Sequence, residues 1–340
     1  MKNIMVVSHH RRGGGAPLDS LWFSRDVCAA MGLRLWFVWG GSRGLGLRAL
    51  LRSRCIVFDG IYCLALGYAP WIYSIGSMLG KRMAVYWHET EWHAERAMRY
   101  ASVRRMMKNP AMVHFHVCDA GKRMLVEKYG VEESRVRVLH NITDDSRISE
   151  PRLSVQPMSA WVAACGDVYE RKGPDLFIEI ARRVAAVQPE ARFFWLGEFR
   201  PDGFSESSIR DSIRSAGLDH HIIFAGGVRN PSYLLSHMRC VLLTSRDEPM
   251  PKILMEALAI GKEVIAFDVG GVRELLGGLG TLIPAGDVDA FAEALIAAMD
   301  REWTGEQQEA CRRRYREMFT PDAFAKRFEL AVAWWEARES

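Results

Sequence analysis

The feature that most constrains the fold is an alternation of short apolar runs with helical stretches, which occurs twice along the 340 residues. Strands that are apolar along their whole length, rather than at every second position, are typical of parallel sheets covered by helices on both faces. The alternation stops in segment 141–159, which is polar and contains Pro151 and Pro157, as a linker does. It resumes at Trp161. The sequence therefore predicts an α/β protein with two doubly wound parallel-sheet domains.

The predicted elements fall into three segments: an N-terminal domain at 1–150, a C-terminal domain at 151–319 and a last helix at 320–340. That helix has a clear start, with Thr320 as its cap and Pro321 in its first turn. Strands are predicted at 4–7, 35–38, 55–58, 83–86, 112–117, 136–139, 161–165, 192–196, 222–224, 240–243 and 264–267. The other helices are predicted at 18–31, 119–129, 174–187, 206–216, 232–238, 252–260 and 287–300.

Two of the glutamates in the run SRDEPMPKILMEALAIGKEVIAFDVGGVRELL, which covers residues 245–276, stand in very different settings. The first, Glu248, precedes Pro249, and proline disfavours helical geometry in the residue before it. Glu248 is therefore predicted to lie on a loop. Pro251 then suits the first position of the helix that follows, because its fixed φ is compatible with a helix and no N–H is needed there.

The second glutamate, Glu256, is the one acidic residue in an otherwise apolar helix predicted at 252–260. Gly261 is predicted to end this helix as a left-handed cap. Burial of a carboxylate is costly unless a partner bonds it, and the nearest basic residue, Lys252, stands in the open first turn. A ligand with adjacent hydroxyl groups would satisfy Glu256 well.

The whole run resembles the donor site of the retaining glycosyltransferases of family 4, which have the GT-B fold. The resemblance rests on a Glu, seven residues and a second Glu, followed by a helix, its capping glycine, an apolar strand and a Gly-Gly turn. It implies two Rossmann-like domains that face a cleft, with the last helix packed back on the N-terminal domain. The matching residues are Glu248, Glu256, Ala257, Gly261, Val264, Gly270, Gly271 and Glu274.

The same resemblance implies individual roles in binding a nucleotide-sugar donor. Glu248 would hold the hydroxyl groups of the sugar, with Met250 and Pro251 shaping the loop around it. Glu256 would accept hydrogen bonds from both ribose hydroxyls. Val228 belongs to a segment that resembles the one whose backbone reads the nucleobase, although an ordinary turn is nearly as good an interpretation.

The segment GDVYERKGPD, residues 166–175, resembles the family segment whose cations hold the donor diphosphate. Lys172 matches the family lysine. The usual arginine is replaced by Asp167, a departure from the pattern. Arg171 is the nearest candidate for the second cation, and the sequence leaves open which cation takes the place of the arginine.

A glycine-rich loop follows the first predicted strand. Its three glycines would let the backbone approach a phosphate closely, and the helix after Pro17 points its N-terminus there. By resemblance Gly14 and Gly15 would lie near the donor phosphates; a flexible turn is the alternative. The G-x-G-x-x-G fingerprint of dinucleotide-binding proteins is absent, which disfavours a dehydrogenase.

His88 follows a predicted strand of the first half, where a histidine that faces a cleft can hydrogen-bond a sugar hydroxyl. It matches a histidine of the family, so Glu248, Lys172 and His88 are the predicted catalytic residues. No metal site is predicted, because the neighbouring histidines fall on different elements without close carboxylate spacing. Three further histidines are interpreted as structural: His93, His114 and His116.

Charge is unevenly spread along the chain. Residues 1–150 contain 22 Lys and Arg against 13 Asp and Glu, a net +9, whereas residues 151–340 contain 23 against 28, a net −5. A basic first half suits an anionic partner such as a phosphate group, an anionic membrane leaflet or a lipid-pyrophosphate acceptor. Solvated helix faces are the alternative. Nucleic acid is not predicted, because no helix-turn-helix, zinc-finger or RNA-stacking signature accompanies the charge.

The predicted location is the cytoplasm. Seven cysteines, an odd number without a C-x-x-C pair, indicate reduced thiols. The N-terminus lacks a signal-peptide pattern. The uncharged stretch 61–80 is interpreted as a buried crossover rather than a membrane span, because glycines and a proline interrupt it. Peripheral attachment at the inner face of the cell membrane is left open.

The predicted function, implied by the resemblance, is transfer of a sugar from a UDP- or GDP-sugar to a hydroxyl acceptor with retention at the anomeric carbon. Neither a metal nor another cofactor is expected. The acceptor would be a lipid-linked or other glycan in surface polysaccharide assembly. Two alternatives remain: a catalytically degenerate GT-B protein that acts as a binding partner, and another GT-B enzyme such as a nucleotide-sugar epimerase.

Overall fold

The chain contains two compact units, each built on one parallel sheet. The structure, a computed structural model, describes residues 2–8, 29, 32–39, 43–60, 69–143, 148 and 160–338. Contacts group Met1–Thr143 with Met318–Ser340 in the first unit and place Asp144–Glu317 in the second. Each sheet has six strands. The α/β class with two parallel sheets, predicted from continuous apolar strands, is confirmed.

The first sheet has the strand order β2-β1-β3-β4-β5-β6. Because β2 and β3 lie on opposite sides of β1, the carboxyl ends of β1 and β3 flank the point where the strand order reverses, which is where ligands bind in open α/β sheets. The strands are Lys2–Ser8 (β1), Leu33–Trp39 (β2), Cys55–Asp59 (β3), Arg82–Trp87 (β4), Met112–His116 (β5) and Val136–Val138 (β6). The helices described between them are Arg43–Arg52 (α1), Ala69–Met78 (α2), Glu91–Ala97 (α3), Ala101–Met107 (α4) and Asp119–Arg123 (α5).

The second sheet has the order β12-β11-β10-β7-β8-β9, so its strand order reverses between β7 and β10. Its strands are Trp161–Cys165 (β7), Arg192–Leu196 (β8), Ile222–Gly226 (β9), Cys240–Leu243 (β10), Glu263–Phe267 (β11) and Thr281–Ile283 (β12). Its helices are Pro174–Ala185 (α6), Glu206–Ser215 (α7), Pro231–Ser236 (α8), Lys252–Ala259 (α9), Val272–Leu276 (α10), Val288–Met299 (α11) and Gly305–Met318 (α12). Residues of β10 and β11 are buried along their whole length, as expected for central strands covered on both faces.

The last helix, Pro321–Ala337 (α13), begins where the sequence predicts. The Thr320 hydroxyl accepts a hydrogen bond from the N–H of Ala323 at 3.3 Å, as a helix cap does. Near its end, Trp334 and Trp335 pack edge-on against Phe115 of β5, with ring centroids 5.8 and 6.1 Å away. These aromatic contacts belong to the first unit, and they explain why the helix is grouped with it.

Some predicted elements differ in the structure. The helix predicted at 119–129 changes to a π-helical turn at Met124–Lys128, a local widening that apolar periodicity does not reveal. Short elements such as β12 and α10 are missing from the prediction, because three to five residues carry too little periodicity.

Much of the helix predicted at 18–31 lies outside the described residues, and so does segment 61–68. No helix in the described ranges is long and apolar enough to cross a membrane.

Candidate functional site

Two loops of the second unit meet where its strand order reverses. Ala164 of β7 pairs with Leu242 of β10, so the chain leaves both strands at the same level. The Thr244 hydroxyl then donates to the carbonyl of Gly173 at 3.1 Å. Gly173 has φ +68°, and a Cβ there would lie 2.2 Å from the Thr244 carbonyl oxygen. A side chain at this position would push the two loops apart.

Glu248 lies on the loop after β10, as predicted, and is almost fully buried at 2% exposure. Its Oε2 lies 3.1 Å from Nη1 of Arg171. Its Oε1 accepts hydrogen bonds from the ammonium of Lys172 and, at 2.9 Å, from the hydroxyl of Ser245. Two cations and a hydroxyl thus converge on one buried carboxylate, which offsets the cost of burying it.

The environment keeps Glu248 ionised. Burial raises its pKa, but the attraction of Lys172 and Arg171 outweighs burial and lowers the pKa from 4.5 to about 2. A carboxylate with such a low pKa accepts hydrogen bonds and does not exchange protons near neutral pH. Glu248 is therefore suited to holding hydroxyl groups rather than to acid–base catalysis.

The backbone of Glu248 is fixed by the Gly-Gly turn after β11. The N–H of Gly271 donates to the Glu248 carbonyl at 2.9 Å. Gly270 has φ +52°, and a Cβ there would lie 1.9 Å from the same carbonyl oxygen. The two glycines singled out in the sequence are needed because the turn passes directly over the carbonyl of Glu248.

Glu256 lies on α9 and is also buried, at 2% exposure, as predicted. Gly261 follows this helix with φ +74°, which confirms the predicted left-handed cap. Pro251 is the residue before the helix rather than its first residue, so that detail of the prediction is wrong. With φ −69° and ψ 118° it has extended geometry and turns the chain from the Glu248 loop into α9. Met250 and Pro251 are both buried beside this turn.

Val228 follows β9 at the same edge of the second sheet. The loops along this edge are joined by backbone hydrogen bonds: Gly166 donates to Leu196 at 2.9 Å, and Gly197 donates to Gly226 at 2.8 Å. A Cβ on Gly197 would lie 2.0 Å from the Gly166 carbonyl oxygen. Val228 is half-buried and belongs to the same row of loops as Lys172 and Glu248, two strands away from β7.

Asp167, which stands where the family has an arginine, is half-exposed in the structure. Its carboxylate is 3.7 Å from Nη1 of Arg200, and Nε of Arg200 donates to Asp202 at 3.0 Å. Exposed ion pairs of this kind contribute little to stability. Arg200 comes from a different loop, after β8, and the sequence prediction does not include it.

In the first unit, His88 follows β4 and lies against Asp59 at the end of β3. Nε2 of His88 is 3.1 Å from Oδ1 of Asp59, and both side chains are buried. A carboxylate accepts hydrogen bonds, so Nε2 carries the hydrogen. The backbone N–H of His88 donates to the carboxylate of Glu89 at 2.8 Å. A histidine and two carboxylates therefore cluster beside the point where this sheet reverses its strand order.

The other histidines of the first sheet pack inside it. Trp87 Nε1–H donates to Nδ1 of His114 at 3.1 Å, and burial lowers the pKa of His114 to about 3. His116 lies against Gly121, where a Cβ would meet its ring at 1.7 Å. No group of three His, Cys, Asp or Glu side chains in the described ranges is arranged to hold a metal ion.

The structure thus brings Arg171, Lys172 and Glu248 into contact, and it places His88 in the other unit. Gly14 and Gly15 lie outside the described residues. Sequence reasoning missed Ser245 and Asp59. A hydroxyl three residues before Glu248 could have suggested Ser245, whereas nothing local to Asp59 indicates a contact with a residue 29 positions away.

Comparison with known proteins gives matches centred on the second unit. A family model described as Glycosyl transferases group 1 matches residues 159–301. The lipopolysaccharide core biosynthesis mannosyltransferase LpsB of Rhizobium meliloti is 29% identical over 176 residues, which are 48% of this chain and 50% of that protein. The phosphatidyl-myo-inositol mannosyltransferase of Mycobacterium leprae is 28% identical over 190 residues, or 54% of this chain and 48% of that protein.

The structural similarity, unlike the sequence matches, covers nearly the whole chain. Anabaena HepE, solved in complex with UDP, superposes with a TM-score of 0.76 at 16% identity and covers 98% of this chain and 100% of its own. The sequence matches span half or less of the length of the curated relatives. The matched family model includes the loops that carry Lys172 and Glu248 and the helix that carries Glu256. The chain has the GT-B fold, and its residues 159–301 match the group 1 glycosyl transferases.

Proposed function

We propose that the protein is a retaining glycosyltransferase of family 4 that transfers a hexose from a UDP- or GDP-sugar to a hydroxyl acceptor. The acceptor we propose is a lipid-linked or other glycan in surface polysaccharide assembly. The observation that carries this proposal is the ionised, buried Glu248 with Lys172 on its Oε1, at the sheet edge where open α/β sheets bind ligands. The UDP bound to HepE supports a nucleotide as the ligand.

The chemistry follows from where charge develops. As the bond from the anomeric carbon to the diphosphate breaks, negative charge grows on the phosphate oxygens, and fixed positive groups lower the barrier. Lys172 and the N-terminus of α9 provide such groups in the second unit. Glu248 would hold the sugar hydroxyls and Glu256 the ribose hydroxyls, with Val228, Met250 and Pro251 lining the donor. The acceptor hydroxyl would attack from the side that the diphosphate leaves, which retains the configuration.

His88 is assigned to the same reaction as a hydrogen-bonding partner of a sugar hydroxyl, because it is ordered by Asp59 at the carboxyl edge of its sheet. Gly14 and Gly15 complete the proposed donor contacts, and Arg171, the other predicted donor-binding residue, contributes through its ion pair with Glu248. No metal enters this scheme, since Lys172 and the helix terminus supply the positive charge. Turnover measured with excess EDTA is therefore expected to equal turnover in Mg²⁺; a requirement for added metal would contradict this part of the proposal.

The test of the proposal is a thermal-shift screen with UDP-, GDP-, ADP- and dTDP-sugars. A ligand at 100 times its Kd stabilises the folded protein by about 2.7 kcal/mol, which raises the melting temperature by several degrees. At least one nucleotide sugar should do so. Absence of any shift with all four classes would count against a nucleotide-sugar enzyme. The best donor is then incubated with membrane lipids or glycans, and NMR of the product determines the anomeric configuration.

Two other functions predict different outcomes of the same experiment. A nucleotide-sugar epimerase would convert the donor without any acceptor, which chromatography of the nucleotide sugar detects. A catalytically degenerate binding partner would bind a nucleotide sugar without turnover and would give neither epimer nor transfer product. The two charged contacts to Glu248 favour the transferase, because they leave the sugar-binding carboxylate ionised.

We also propose that the first unit contacts the inner, anionic face of a membrane. Arg43–Arg52 and Ala69–Met78, with the residues that follow each helix as far as Arg54 and Arg82, contain six basic and no acidic residues. Met78 is 85% exposed, and Leu51 is also exposed. Lys81 Nζ donates to the Ser53 carbonyl at 2.6 Å, which holds the ends of the two helices together. Exposed apolar side chains in segments with basic and no acidic residues suit an anionic lipid surface.

Sedimentation with vesicles tests this contact. The protein should bind vesicles of phosphatidylcholine with phosphatidylglycerol more tightly than vesicles of phosphatidylcholine alone, and Met78→Ser should weaken that binding. Leu330→Ser, which removes another exposed apolar side chain in the same unit, is the control and should change nothing. Equal binding of wild type and Met78→Ser would contradict this surface.

A further inference from the structure

Two adjacent cations contact Glu248, and their surroundings differ. Arg171 is 8% exposed in its side chain. Its Nε donates to the hydroxyl of Tyr169 at 2.8 Å, and its Nη1 donates to the carbonyl of Asp247 besides facing Oε2 of Glu248. Its guanidinium also lies 5.4 Å from the centre of the Tyr169 ring. Arg171 is therefore held by a carboxylate, a carbonyl, a phenol and an aromatic face at once.

Lys172 is held by fewer contacts and is more open. Its side chain is 17% exposed, and its ammonium donates to Oε1 of Glu248. A lysine is a compact charge on a flexible stem with three donors, whereas the planar arginine fork is fixed by the partners that match its geometry. Moving Lys172 breaks one ion pair, whereas moving Arg171 breaks an ion pair and two hydrogen bonds of a mostly buried side chain.

The two cations also occupy different oxygens of Glu248. Oε1 receives Lys172 and Ser245, while Oε2 faces Arg171. If the ammonium of Lys172 moved to a diphosphate, Oε1 would gain a lone pair for a sugar hydroxyl. Arg171 would remain, so the carboxylate would keep a neutralising partner and stay charged.

From these contacts we propose that Arg171 is a positioning residue that holds Glu248, and that Lys172 is an exchangeable cation that leaves Glu248 for the diphosphate when the donor binds. The inference rests on the proposed function and deepens it. It removes Arg171 from the candidates for the second cation on the leaving group. It also makes binding of the diphosphate the event that frees Glu248 to receive the sugar.

A double-mutant cycle measured by calorimetry tests the exchange. The probe is whichever of UDP, GDP, ADP and dTDP stabilises the wild type most. Glu248→Gln should tighten binding of this nucleotide about five-fold, because Lys172 no longer has to leave a carboxylate. In a Lys172→Met background the same change should have no effect. In an Arg171→Met background the tightening should persist.

The opposite pattern would overturn the proposal. If the tightening disappears in the Arg171→Met background and persists in the Lys172→Met background, Arg171 is the phosphate ligand. If Glu248→Gln weakens nucleotide binding in the wild type, no exchange takes place. Arg210→Met, which removes an exposed arginine of α7, is the control for loss of one positive charge and should leave the affinity unchanged.

A second measurement needs no ligand and therefore separates this inference from the proposed function. Arg171→Met should lower the melting temperature by about 5 °C, more than Lys172→Met does, because three groups lose the Arg171 donor: the Asp247 carbonyl, the Tyr169 phenol and the buried Glu248 carboxylate. Arg171→Lys should recover part of the loss. The difference between Arg171→Met and Lys172→Met should shrink in a Glu248→Gln background. Equal losses from the two variants would contradict the positioning role even if no nucleotide bound.

Discussion

The carboxyl edges of the two sheets carry opposite chemistry. At the edge of the second sheet a single buried glutamate is enclosed by two cations and a hydroxyl. At the edge of the first sheet the ring of the buried His88 contacts the carboxylate of Asp59, and its backbone N–H donates to the carboxylate of Glu89. The same backbone arrangement, a reversal of strand order in a parallel sheet, thus presents a cationic site in one unit and an acidic cluster with histidine in the other.

The net charge of each half of the chain does not predict the chemistry at its sheet edge. The cationic site belongs to the half of the chain with net charge −5, and the acidic cluster belongs to the half with net charge +9. Most charged side chains lie on solvated helix faces, so the total describes the surface and its long-range partners. The functional edge depends on a few buried groups. A diphosphate suits the edge that holds Arg171 and Lys172, whatever the sign of the whole unit.

The largest effect we expect is from Glu248→Ala at the cationic edge. Loss of the group proposed to hold the sugar should lower kcat on the order of 10²–10³-fold, because the reacting carbon is no longer aligned. Nucleotide diphosphate affinity should not fall. Steady-state kinetics and calorimetry measure the two quantities. Glu206→Ala, which removes an exposed glutamate of α7, is the control. Full turnover in Glu248→Ala would show that this edge does not bind the sugar.

The next largest effect concerns the backbone beneath the cationic edge. Gly270→Ala places a Cβ 1.9 Å from the Glu248 carbonyl oxygen at φ +52°. We expect it to lower the free energy of unfolding by roughly 3 kcal/mol, as left-handed strain and a steric clash add. Gly217→Ala is the control, because it has φ +69° but meets no atom of the described residues within 4 Å; it should cost about 1 kcal/mol. Urea denaturation measures both, and equal losses would contradict the clash.

A third prediction concerns acid stability. The folded-state pKa of Glu248 is about 2, below its ordinary 4.5, so this group stabilises the fold above pH 4.5 and loses that contribution as the pH falls towards 2. The shift corresponds to about 3 kcal/mol. Unfolding free energies measured between pH 6 and 2.5 should therefore fall more steeply in the wild type than in Glu248→Gln. Parallel curves would mean that the cations do not hold Glu248 ionised.

A smaller effect is expected at the acidic edge. Asp59→Ala should lower kcat about 10-fold to 100-fold, because His88 loses the partner that fixes which ring nitrogen carries hydrogen. Nitrogen-15 NMR of labelled histidine should then show a mixture of tautomers for His88. Asp59→Asn keeps an accepting oxygen and should have the smaller effect. An unchanged His88 spectrum in Asp59→Ala would contradict the positioning contact.

The smallest predicted effect is from Glu256→Gln, which keeps the shape of the side chain and removes its charge. Nucleotide diphosphate affinity should fall about 10-fold, because hydrogen bonds from the ribose to a carboxylate are stronger than those to an amide. The 2′-deoxy nucleotide should lose less affinity than the ribonucleotide in this variant, since it has only one of the two hydroxyls to bond the carboxylate. A 10-fold loss with the deoxy nucleotide as well would place Glu256 away from the ribose.

The central strands and the Glu248 loop could be predicted because their signals are local. β7, β8 and β10 have the bounds predicted from their apolar residues. Proline placed Glu248 on a loop, and glycine ended α9. The pairing of Arg171 with Glu248 could not be predicted, since a short 3₁₀ turn at Glu170–Lys172 directs two adjacent cations to two oxygens of one carboxylate. Sequence spacing gives no information on such directions.

By itself, the sequence determined that the chain forms two parallel α/β sheets, because hydrophobic periodicity and turn residues act over a few neighbouring positions. It also determined which segments carry the glutamates, the lysine and the glycines of the second unit. Only the tertiary structure decided that Arg171 and Lys172 share Glu248, that Ser245 completes the site and that Asp59 orders His88. Apart from Ser245, which lies on the same loop as Glu248, these contacts join residues that follow different strands of a sheet, and strand order brings them within hydrogen-bonding distance.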